Sequence, residues 1–576
     1  MNLWEEIKRR RVWQVALIYL AGSFALAQVA QFLLESYEAP AWVIRLIIAL
    51  LAAGFPFSLA LAWFFDLTPH GLERTEDEAA ETEGAPKQDS KPAAALNLPP
   101  EGDKSIAVLP FVNMSDDDSN EYFADGISEE LLNLLAKIKD LRVISRSSAF
   151  AFKGEKLDMK EVASKLHVSN LLEGSVRKAG NKVRITAQLI RAHSDAHLWS
   201  ETWDRDLDDI FKVQDEIAEA VVKVLKVKLL GEMPTLQETE AETYALYLQA
   251  FNLSNQADST QASIALCEEV LRRDPSYVPA WICLARNRSN MASFGGVSME
   301  KAYGGALEAL EQALRIDPNS PSALSLSAVI DMTISIGDAS KGASLLTRAF
   351  ELAPQDSYVL RNVGDFYQHL GDAENASKAF AMARVSDPVN PTLCAITSLQ
   401  AFFDGRNEEA IELNRLALSV APRYRGAQAS IARSLLAENK LEEALESALL
   451  EVDDGWKRIM LALIYHALGD KEQADTTLAK VIELDEEVAA FDIGYIYAMR
   501  GETDKAFEWL DKAIEYKDGG LGYVLLHPYL QSLHSDPRWM VLLERLGRTP
   551  VQIAALNFNL DLPEPSPVPL PQGGTA

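Results

Sequence analysis

The residue types that could do chemistry are few in this chain and stand mostly outside catalytic or metal-binding patterns. His193, Asp195 and His197 have the spacing of a metal-binding pair on a helix, but their segment reads as a turn and a strand, where the same spacing gives a different geometry. The run from Asp116 to Asp118 could attract a hard cation, yet it lacks the glycine and the closing glutamate of a calcium loop. We interpret it as a solvated loop before a helix.

Nucleotide-binding and hydrolase signatures are also missing from the sequence. It contains neither a Gly-x-x-x-x-Gly-Lys-Ser/Thr phosphate loop nor a Gly-x-Ser-x-Gly nucleophile elbow. The three cysteines, Cys267, Cys283 and Cys394, lack metal-ligand spacing, and an odd number in so long a chain argues against a disulfide framework. The sequence therefore predicts a protein that is not an enzyme and that has no catalytic residue, cofactor or metal ligand of its own.

Length and charge limit the remaining classes. A chain of 576 residues that is 48% hydrophobic is too long for one core, so we expect several domains. The net charge of −29 would repel nucleic-acid phosphates, so we expect no nucleic-acid partner. Up to Asp66 the basic and acidic residues balance at five each, so the whole acidic excess belongs to residues 67–576.

The first 66 residues predict a membrane hairpin. Residues 12–34 and 46–65 carry no formal charge, and each stretch is long enough to cross a bilayer as a helix. Arg45 and several aromatic side chains stand near the ends of the spans, as interfacial residues do. In the first span, Ala21 and Ala25 form a small-xxx-small pair that could pack the hairpin or form a homodimer seam.

Topology follows from the basic residues beside the spans. Lys8, Arg9, Arg10 and Arg11 precede the first span, whereas residues 35–44 contain neither Lys nor Arg. The amino terminus should therefore be inside, and two crossings should return the rest of the chain to the cytoplasmic face of the plasma membrane. A periplasmic location is the alternative if one span does not insert.

A linker and a mixed domain come next. Residues 67–103 are mostly acidic and small, which predicts a flexible tether without a core. Residues 104–231 then alternate strand-like and helix-like patterns in the order β-α-β-α-β-β, closed by a helix. We expect an α/β domain there, able to fold separately.

From residue 238 the chain repeats at 34 residues, the period of tetratricopeptide helix pairs. We expect about seven to eight repeats over residues 238–548, with a closing helix near Trp539. The tail 549–576 is rich in proline and predicts disorder. The clearest unit fills every diagnostic position of the repeat, with Leu360, Val363, Gly364, Tyr367, Gly371, Ala376, Phe380, Ala383 and Pro388.

The stacked repeats should form a superhelix whose concave face binds protein or peptide ligands. Arginine and aromatic side chains there suit such binding, although each position could instead be solvated or packed. By the repeat pattern, the positions that point inward are Arg286, Tyr358, Arg361, Asp365, Gln368, Phe402, Arg433, His466 and Tyr495.

Separated blocks between Lys104 and about Leu230 resemble the TolB amino-terminal-like (FlgO-like) domain of bacterial signalling proteins, in which this domain precedes tetratricopeptide repeats. The double span, which ends at Trp63-Phe-Phe-Asp-Leu-Thr-Pro-His-Gly-Leu72, also resembles the membrane segment of such proteins. The blocks are Ser105-Ile-Ala-Val-Leu-Pro-Phe111, Tyr122-Phe-Ala-Asp-Gly-Ile-Ser-Glu-Glu130, Leu172-Glu-Gly-Ser-Val-Arg177, His197-Leu-Trp-Ser-Glu-Thr-Trp-Asp-Arg205 and Val213-Gln-Asp-Glu-Ile217.

The expected fold class is thus multidomain: a two-helix transmembrane hairpin, a TolB-like α/β domain and an all-α tetratricopeptide superhelix. The expected function is a membrane-anchored bacterial scaffold or sensor that recruits protein partners through the repeats and the TolB-like domain. The alternative is a regulatory component of cyclic-nucleotide signalling without a catalytic domain, which the resemblance suggests because some relatives carry a cyclase domain.

Overall fold

A computed structural model describes most of residues 98–564 and, before them, Leu51 and two short strands. The gaps after residue 98 are 101–102, 116, 118–119, 139, 155–157, 228–235, 255–258, 295–298 and 335–336. The predicted span at 12–34, and with it the homodimer seam, lies outside the described residues, and of the span at 46–65 only Leu51 and Phe65 are described. Within the part that the structure describes, no helix combines the length and hydropathy needed to cross a bilayer.

A small hairpin stands where the sequence predicted the end of the second span and the start of the linker. Strand β1, Phe65–Thr68, pairs antiparallel with β2, Gly71–Arg74. In the sequence, Pro69 and Gly71 fall between Thr68 and Leu72, and both residue types favour turns. The chain is therefore regular at 67–68 and 71–74, where we had expected a tether, and extended at 65–66, where we had expected the end of the membrane hairpin.

The predicted α/β region is a mixed sheet with helices. The strands lie side by side in the order β5-β3-β6-β7-β8, and β4 also pairs with β6. Strand β3 runs parallel to its two neighbours β5 and β6. Strand β7 runs antiparallel to both β6 and β8. The strands are β3 Ser105–Val108, β4 Val112–Asn113, β5 Arg142–Val143, β6 Asn170–Ala179, β7 Lys182–Arg191 and β8 Ala196–Asp206, and the helices are α1 Glu121–Ala136, α2 Arg146–Phe150, α3 Met159–Leu166 and α4 Ile210–Leu225.

Apolar periodicity explains how these elements pack. In β7 the inward side chains Val183, Ile185 and Leu189 are buried, which is the two-residue alternation of a strand with one covered face. Helices α1 and α4 cover that face, and Ile127 and Ile217 are fully buried in the shared core. Gly180 joins β6 to β7 with φ of 60°, a left-handed conformation that suits glycine.

From residue 241 the described chain forms eight antiparallel helix pairs, which we number repeats 1 to 8. The pairs are α5 Ala241–Ser254 and α6 Thr260–Arg273, α7 Val278–Phe294 and α8 Met299–Ile316, α9 Pro321–Ile334 and α10 Ser340–Leu352, α11 Ser357–His369 and α12 Ala373–Ser386, α13 Pro391–Phe403 and α14 Asn407–Val420, α15 Ala427–Ala437 and α16 Leu441–Leu450, α17 Asp454–Ala467 and α18 Lys471–Asp485, and α19 Ala490–Met499 and α20 Thr503–Tyr516.

Repeat 4 shows why the small residues recur. Ala376 and Phe380 are fully buried between the two helices. A Cβ on Gly364 would lie 2.5 Å from the Phe380 ring, so the helices can approach this closely because residue 364 is glycine. The repeat pattern therefore has a direct packing cause.

The chain beyond repeat 8 is ordered as far as residue 564. Two 3-10 helices, Gly519–Tyr523 and Pro528–Leu533, precede α21, Pro537–Arg545, and α22, Pro550–Ala555. Helix α21 is the predicted closing helix. The predicted disorder from 549 is corrected for residues 549–564, because Thr549 caps α22 with a capping box and Phe558 packs on Tyr367 at 4.9 Å. Residues 565–576 lie outside the described part.

Candidate protein-interaction site

The predicted concave positions divide into three groups. Gln368, Phe402 and Tyr495 are buried, and His466 is exposed. The other five are half-buried, namely Arg286, Tyr358, Arg361, Asp365 and Arg433. The expectation of a continuous open binding face is therefore corrected, since the side of the groove formed by repeats 4 to 8 is filled.

The filling segment is residues 519–533, which we call the plug. Leu530 and Leu533 are fully buried in the core of repeats 6 to 8. His527 stacks on Tyr495 with ring centroids 4.5 Å apart and meets the Phe402 ring at 6.2 Å. The plug thus covers two of the aromatic positions that the sequence had offered to a partner.

Polar contacts hold the same segment. The Tyr523 hydroxyl hydrogen-bonds to Asp365, and the Arg548 guanidinium, which interacts with Asp365, donates to the Leu521 carbonyl. A Cβ on Gly522 would overlap the His369 ring. Gln368, the third buried candidate, donates instead to Gln400 of the next repeat at 2.9 Å. These residues are internal contacts of the fold.

Sequence reasoning assigned no role to the plug. Its side chains show no repeat period, and contacts such as Asp365 with Tyr523 join positions far apart in the chain. A usable signal was present in Asp518-Gly-Gly520 followed by His527-Pro-Tyr529, which marks turns and aromatic residues after the last repeat.

The α/β domain packs against repeat 1 through α1 and α5. A Cβ on Gly126 would lie 2.5 Å from Leu248, and Asn252 donates to Asp125 at 3.1 Å. Tyr244 is fully buried and accepts a hydrogen bond from Gln214 of α4 at 3.0 Å. One apolar core runs from Ile106 to Ile330 across this contact. Independent folding of 104–231 stays a prediction, and it would expose this face of α1.

Two buried carboxyl groups lie at this contact. Burial, and after it the charge of the adjacent Glu129, raise the pKa of Glu130 to about 8 against the opposing effects of Lys137 and Asn133. Burial likewise raises the pKa of Glu129 to about 7, although the charges of Arg146 and Arg286 oppose the change. Both groups therefore bind protons more tightly in the folded chain than in the unfolded chain.

Replacing Glu130 by Gln should raise stability at pH 7 and flatten its dependence on pH. Between the unfolded pKa and about 8 the folded state holds a proton at Glu130 that the unfolded state has lost. Stability from this group is thus present at low pH and falls by about 1.4 kcal/mol per pH unit as pH rises through that window. Urea unfolding of both proteins from pH 5 to pH 8 measures the difference. Parallel curves would contradict this account of Glu130.

A second contact joins the α/β domain to the turn between repeats 4 and 5. Ser148 donates to Asp387 at 2.6 Å and accepts from the Val389 backbone at 3.0 Å. Arg142 donates to the Val385 carbonyl at 3.3 Å. Val389 itself is buried among apolar residues of the α/β domain, with Val420 of α14 beside it. A protein domain thus docks on the turns that link successive repeats.

These turns, each joining the second helix of one repeat to the first helix of the next, lie along one edge of a solenoid, which we call the junction edge. The α/β domain covers the 4/5 turn at Val389, and the same apolar cluster reaches Val420, the last residue of α14 before the 5/6 turn. Beyond them the edge carries large exposed apolar side chains, which we call the junction strip: Leu449, Leu450, Val452, Trp456, Leu484 and Val488. The strip is a candidate site for a further protein.

The side chains that could bind a metal ion are dispersed over the part of the chain that the structure describes. No group of three or more His, Cys, Asp or Glu side chains converges there. His193 is bonded through Nε2 to the Pro99 carbonyl at 2.7 Å, and His197 is in β8. All three cysteines are buried free thiols.

Two family models match the chain. One, described as HilA/YgeH-like transcriptional regulator, second domain, matches residues 102–220, which is the α/β domain. The other is a tetratricopeptide repeat model that matches residues 458–488 in repeat 7. The predicted tetratricopeptide repeats are confirmed. The TolB-like assignment is not shown by these matches and stays a proposal.

A curated relative of Rhizobium meliloti (strain 1021), named "Putative adenylate cyclase 3", is 38% identical over 232 residues. The match covers 38% of this chain and 40% of the relative, so the chain spans about two fifths of the relative's length.

Several solved structures show distant likeness. The human IFIT1 dimer with PPP-AAAA is 17% identical, with a TM-score of 0.36 over 53% of this chain and 78% of that chain. PilF of Pseudomonas aeruginosa is 18% identical, with a TM-score of 0.30 over 37% of this chain and 92% of that chain. Similarity at this level says nothing about function. The array is identified as tetratricopeptide repeats by its helix pairs and by the match to the repeat family model.

Proposed function

We propose that the protein is a non-enzymatic scaffold, anchored in the bacterial plasma membrane, that recruits a protein partner through the junction edge of its repeats. The junction strip is the observation that carries this proposal. Repeats in general support protein contacts on extended surfaces, and here one stretch of such a surface already holds a folded domain.

The junction strip continues the edge on which the α/β domain already docks, which favours a protein as its ligand. At the 4/5 turn the α/β domain presents the short helix α2, whose Ala149 is fully buried and whose Phe150 packs against the same cluster as Val389. Trp456 begins the exposed stretch, 3.7 Å from the Cβ position of Gly426 at the 5/6 turn. We therefore expect the partner to present a short helix with apolar side chains toward the strip, as α2 does with Ala149 and Phe150.

The exposure of the strip supports the same proposal. Val488 is 77% exposed, Leu450 is 65% exposed and Leu484 is 62% exposed. Grouped apolar side chains on a soluble surface mark interaction sites, because burying them stabilises a complex by about 25 cal/mol per Å². Paired charges flank the group, with Arg458 bonded to Asp485 at 2.8 Å, as expected for a polar rim.

Anchoring and sidedness complete the proposal. Residues 12–34 and 46–65 would form the hairpin, and the basic residues 8–11 would keep the repeats on the cytoplasmic face. The TolB-like assignment of residues 104–231 belongs to this proposal as well. The formal charge of −29 argues against transferring DNA binding from the transcriptional regulators whose domain model matches.

A charge placed on the strip should abolish partner recovery. We expect full-length protein purified from solubilised membranes to retain a stoichiometric partner that Val488→Glu and Leu484→Glu lose by tenfold or more. Val541→Glu is the matched control, because Val541 is 57% exposed on α21, outside the strip. Equal recovery with all three variants would reject the strip as the recruiting surface.

A second candidate function is regulation of cyclic-nucleotide signalling. The relative named as an adenylate cyclase favours it, through a match that spans 40% of that protein. It predicts that deleting the gene changes cellular cyclic AMP. The same deletion should leave cyclic AMP unchanged if the protein is a scaffold for another pathway.

A further inference from the structure

The concave side of repeats 1 to 4 carries a row of alternating arginine and aromatic side chains that the scaffold function does not use. The Arg286 guanidinium lies 5.5 Å from the Phe251 ring and 5.9 Å from the Tyr358 ring. Arg361 lies 4.7 Å from the same Tyr358 ring. Arg146 of the α/β domain begins the row, 5.8 Å from Phe251.

Charge is unbalanced along this row. Arg146 has a carboxylate partner, because its Nε lies 2.8 Å from Glu129. Within the described residues neither Arg286 nor Arg361 forms an ion pair, and the buried Nε of Arg286 has no hydrogen-bond partner. Asp365, the next acidic residue on α11, bonds to the Tyr523 hydroxyl and faces Arg548. Arg286 lies near the charge of Glu129, which Arg146 already pairs, and Arg361 has no carboxylate partner among the described residues. Three arginines thus share one carboxylate along the row.

The surroundings limit the size of a ligand. The α/β domain contacts the array at repeat 1 and again at the 4/5 turn, on both sides of the row, and the plug fills the groove beyond it. A long polymer could not lie along a groove interrupted in this way. The row residues are nevertheless half-buried, so a small molecule can reach them.

We propose that Arg286 and Arg361, held in place by the Tyr358 ring between them, bind a small soluble phosphomonoester. Ring contacts occupy the faces of the guanidinium groups. Arg361 donates from Nε and Nη2 to the Asn362 Oδ1 at 3.2 and 2.9 Å, which leaves its Nη1–Nη2 edge for an oxyanion, and the Arg286 Nε has no acceptor. A phosphomonoester carries nearly two negative charges at neutral pH, which matches two neighbouring arginines better than a single carboxylate does. The site is independent of the junction strip.

The test is a titration of the full-length protein in detergent with inorganic phosphate and with phenyl phosphate, at constant ionic strength. We expect saturable binding by calorimetry and a rise in melting temperature that chloride and acetate do not produce. Arg361→Gln and Arg286→Gln should each weaken binding at least tenfold. Arg415→Gln, an exposed arginine on α14, is the matched control and should bind as wild type does.

Arg361→Lys separates charge from geometry, since it keeps the positive charge and loses the forked donors. It should bind more weakly than wild type but more strongly than Arg361→Gln. If Arg286→Gln does not fold, the wild-type titration and the two Arg361 variants still test phosphate binding. Absence of saturable phosphate binding to wild type would overturn the proposal, and so would wild-type affinity in Arg361→Gln.

Discussion

Gly364→Ala should destabilise the protein by about 2–4 kcal/mol relative to Gly304→Ala, although both changes replace a helical glycine by alanine. The new Cβ at 364 would lie 2.5 Å from the buried Phe380 ring, which must move and leave its packed position. Gly304 in α8 has nothing within 4 Å of its Cβ position, so alanine there gains up to about 1 kcal/mol of helix propensity. Thermal and urea unfolding of both variants measure the difference.

Equal stabilities would contradict the assigned repeat register, because they would mean that residue 364 does not face the second helix. The neighbouring substitution Asp365→Ala is not a suitable control for Gly364→Ala. The Asp365 carboxylate interacts with the half-buried Arg548, so Asp365→Ala should also destabilise the fold by leaving that charge less compensated.

Leu530→Ala should cost about 2–5 kcal/mol, the range for emptying a buried leucine site. Leu530 is fully buried beneath repeats 6 to 8, as part of the plug. If the plug is integral to the fold, as its buried leucines indicate, this loss will appear in urea unfolding of the full chain. Val551→Ala is the control, because Val551 is 80% exposed.

A cost below about 0.5 kcal/mol for Leu530→Ala would contradict this description of the plug. It would mean that residues 519–533 leave the groove easily. The positions that they cover, Phe402 and Tyr495 among them, would then be available to a partner as the sequence pattern suggested.

How much of the fold could be predicted from the sequence depended on the range of the interactions. The repeats were predictable, because Gly364, Ala376 and Phe380 make contacts within 16 residues that recur at a fixed period. Strands β6 and β7 were predictable for a similar reason, since they form a hairpin around Gly180. Local contacts leave a pattern in a single sequence.

Long-range contacts leave no such pattern. Ser148 and Asp387 are 239 residues apart, and serine and aspartate are common in turns, so their hydrogen bond could not be foreseen. The plug covers Tyr495 in the same way, through residues that come after the array and lack its period. The nine predicted positions therefore included Arg286 and Arg361, which belong to the row of arginine and aromatic side chains, beside others that the fold itself uses.

Site-specific photo-crosslinking at Val488 tests the scaffold proposal most directly. A crosslinking amino acid placed at 488 in the full-length protein in native membranes should join one defined partner protein, whereas the same residue at 541 should not join it. Mass spectrometry of the adduct should map the contact to a short helix of the partner that carries apolar side chains. Equal crosslinking to many proteins from both positions would contradict the scaffold account, and so would no adduct at 488.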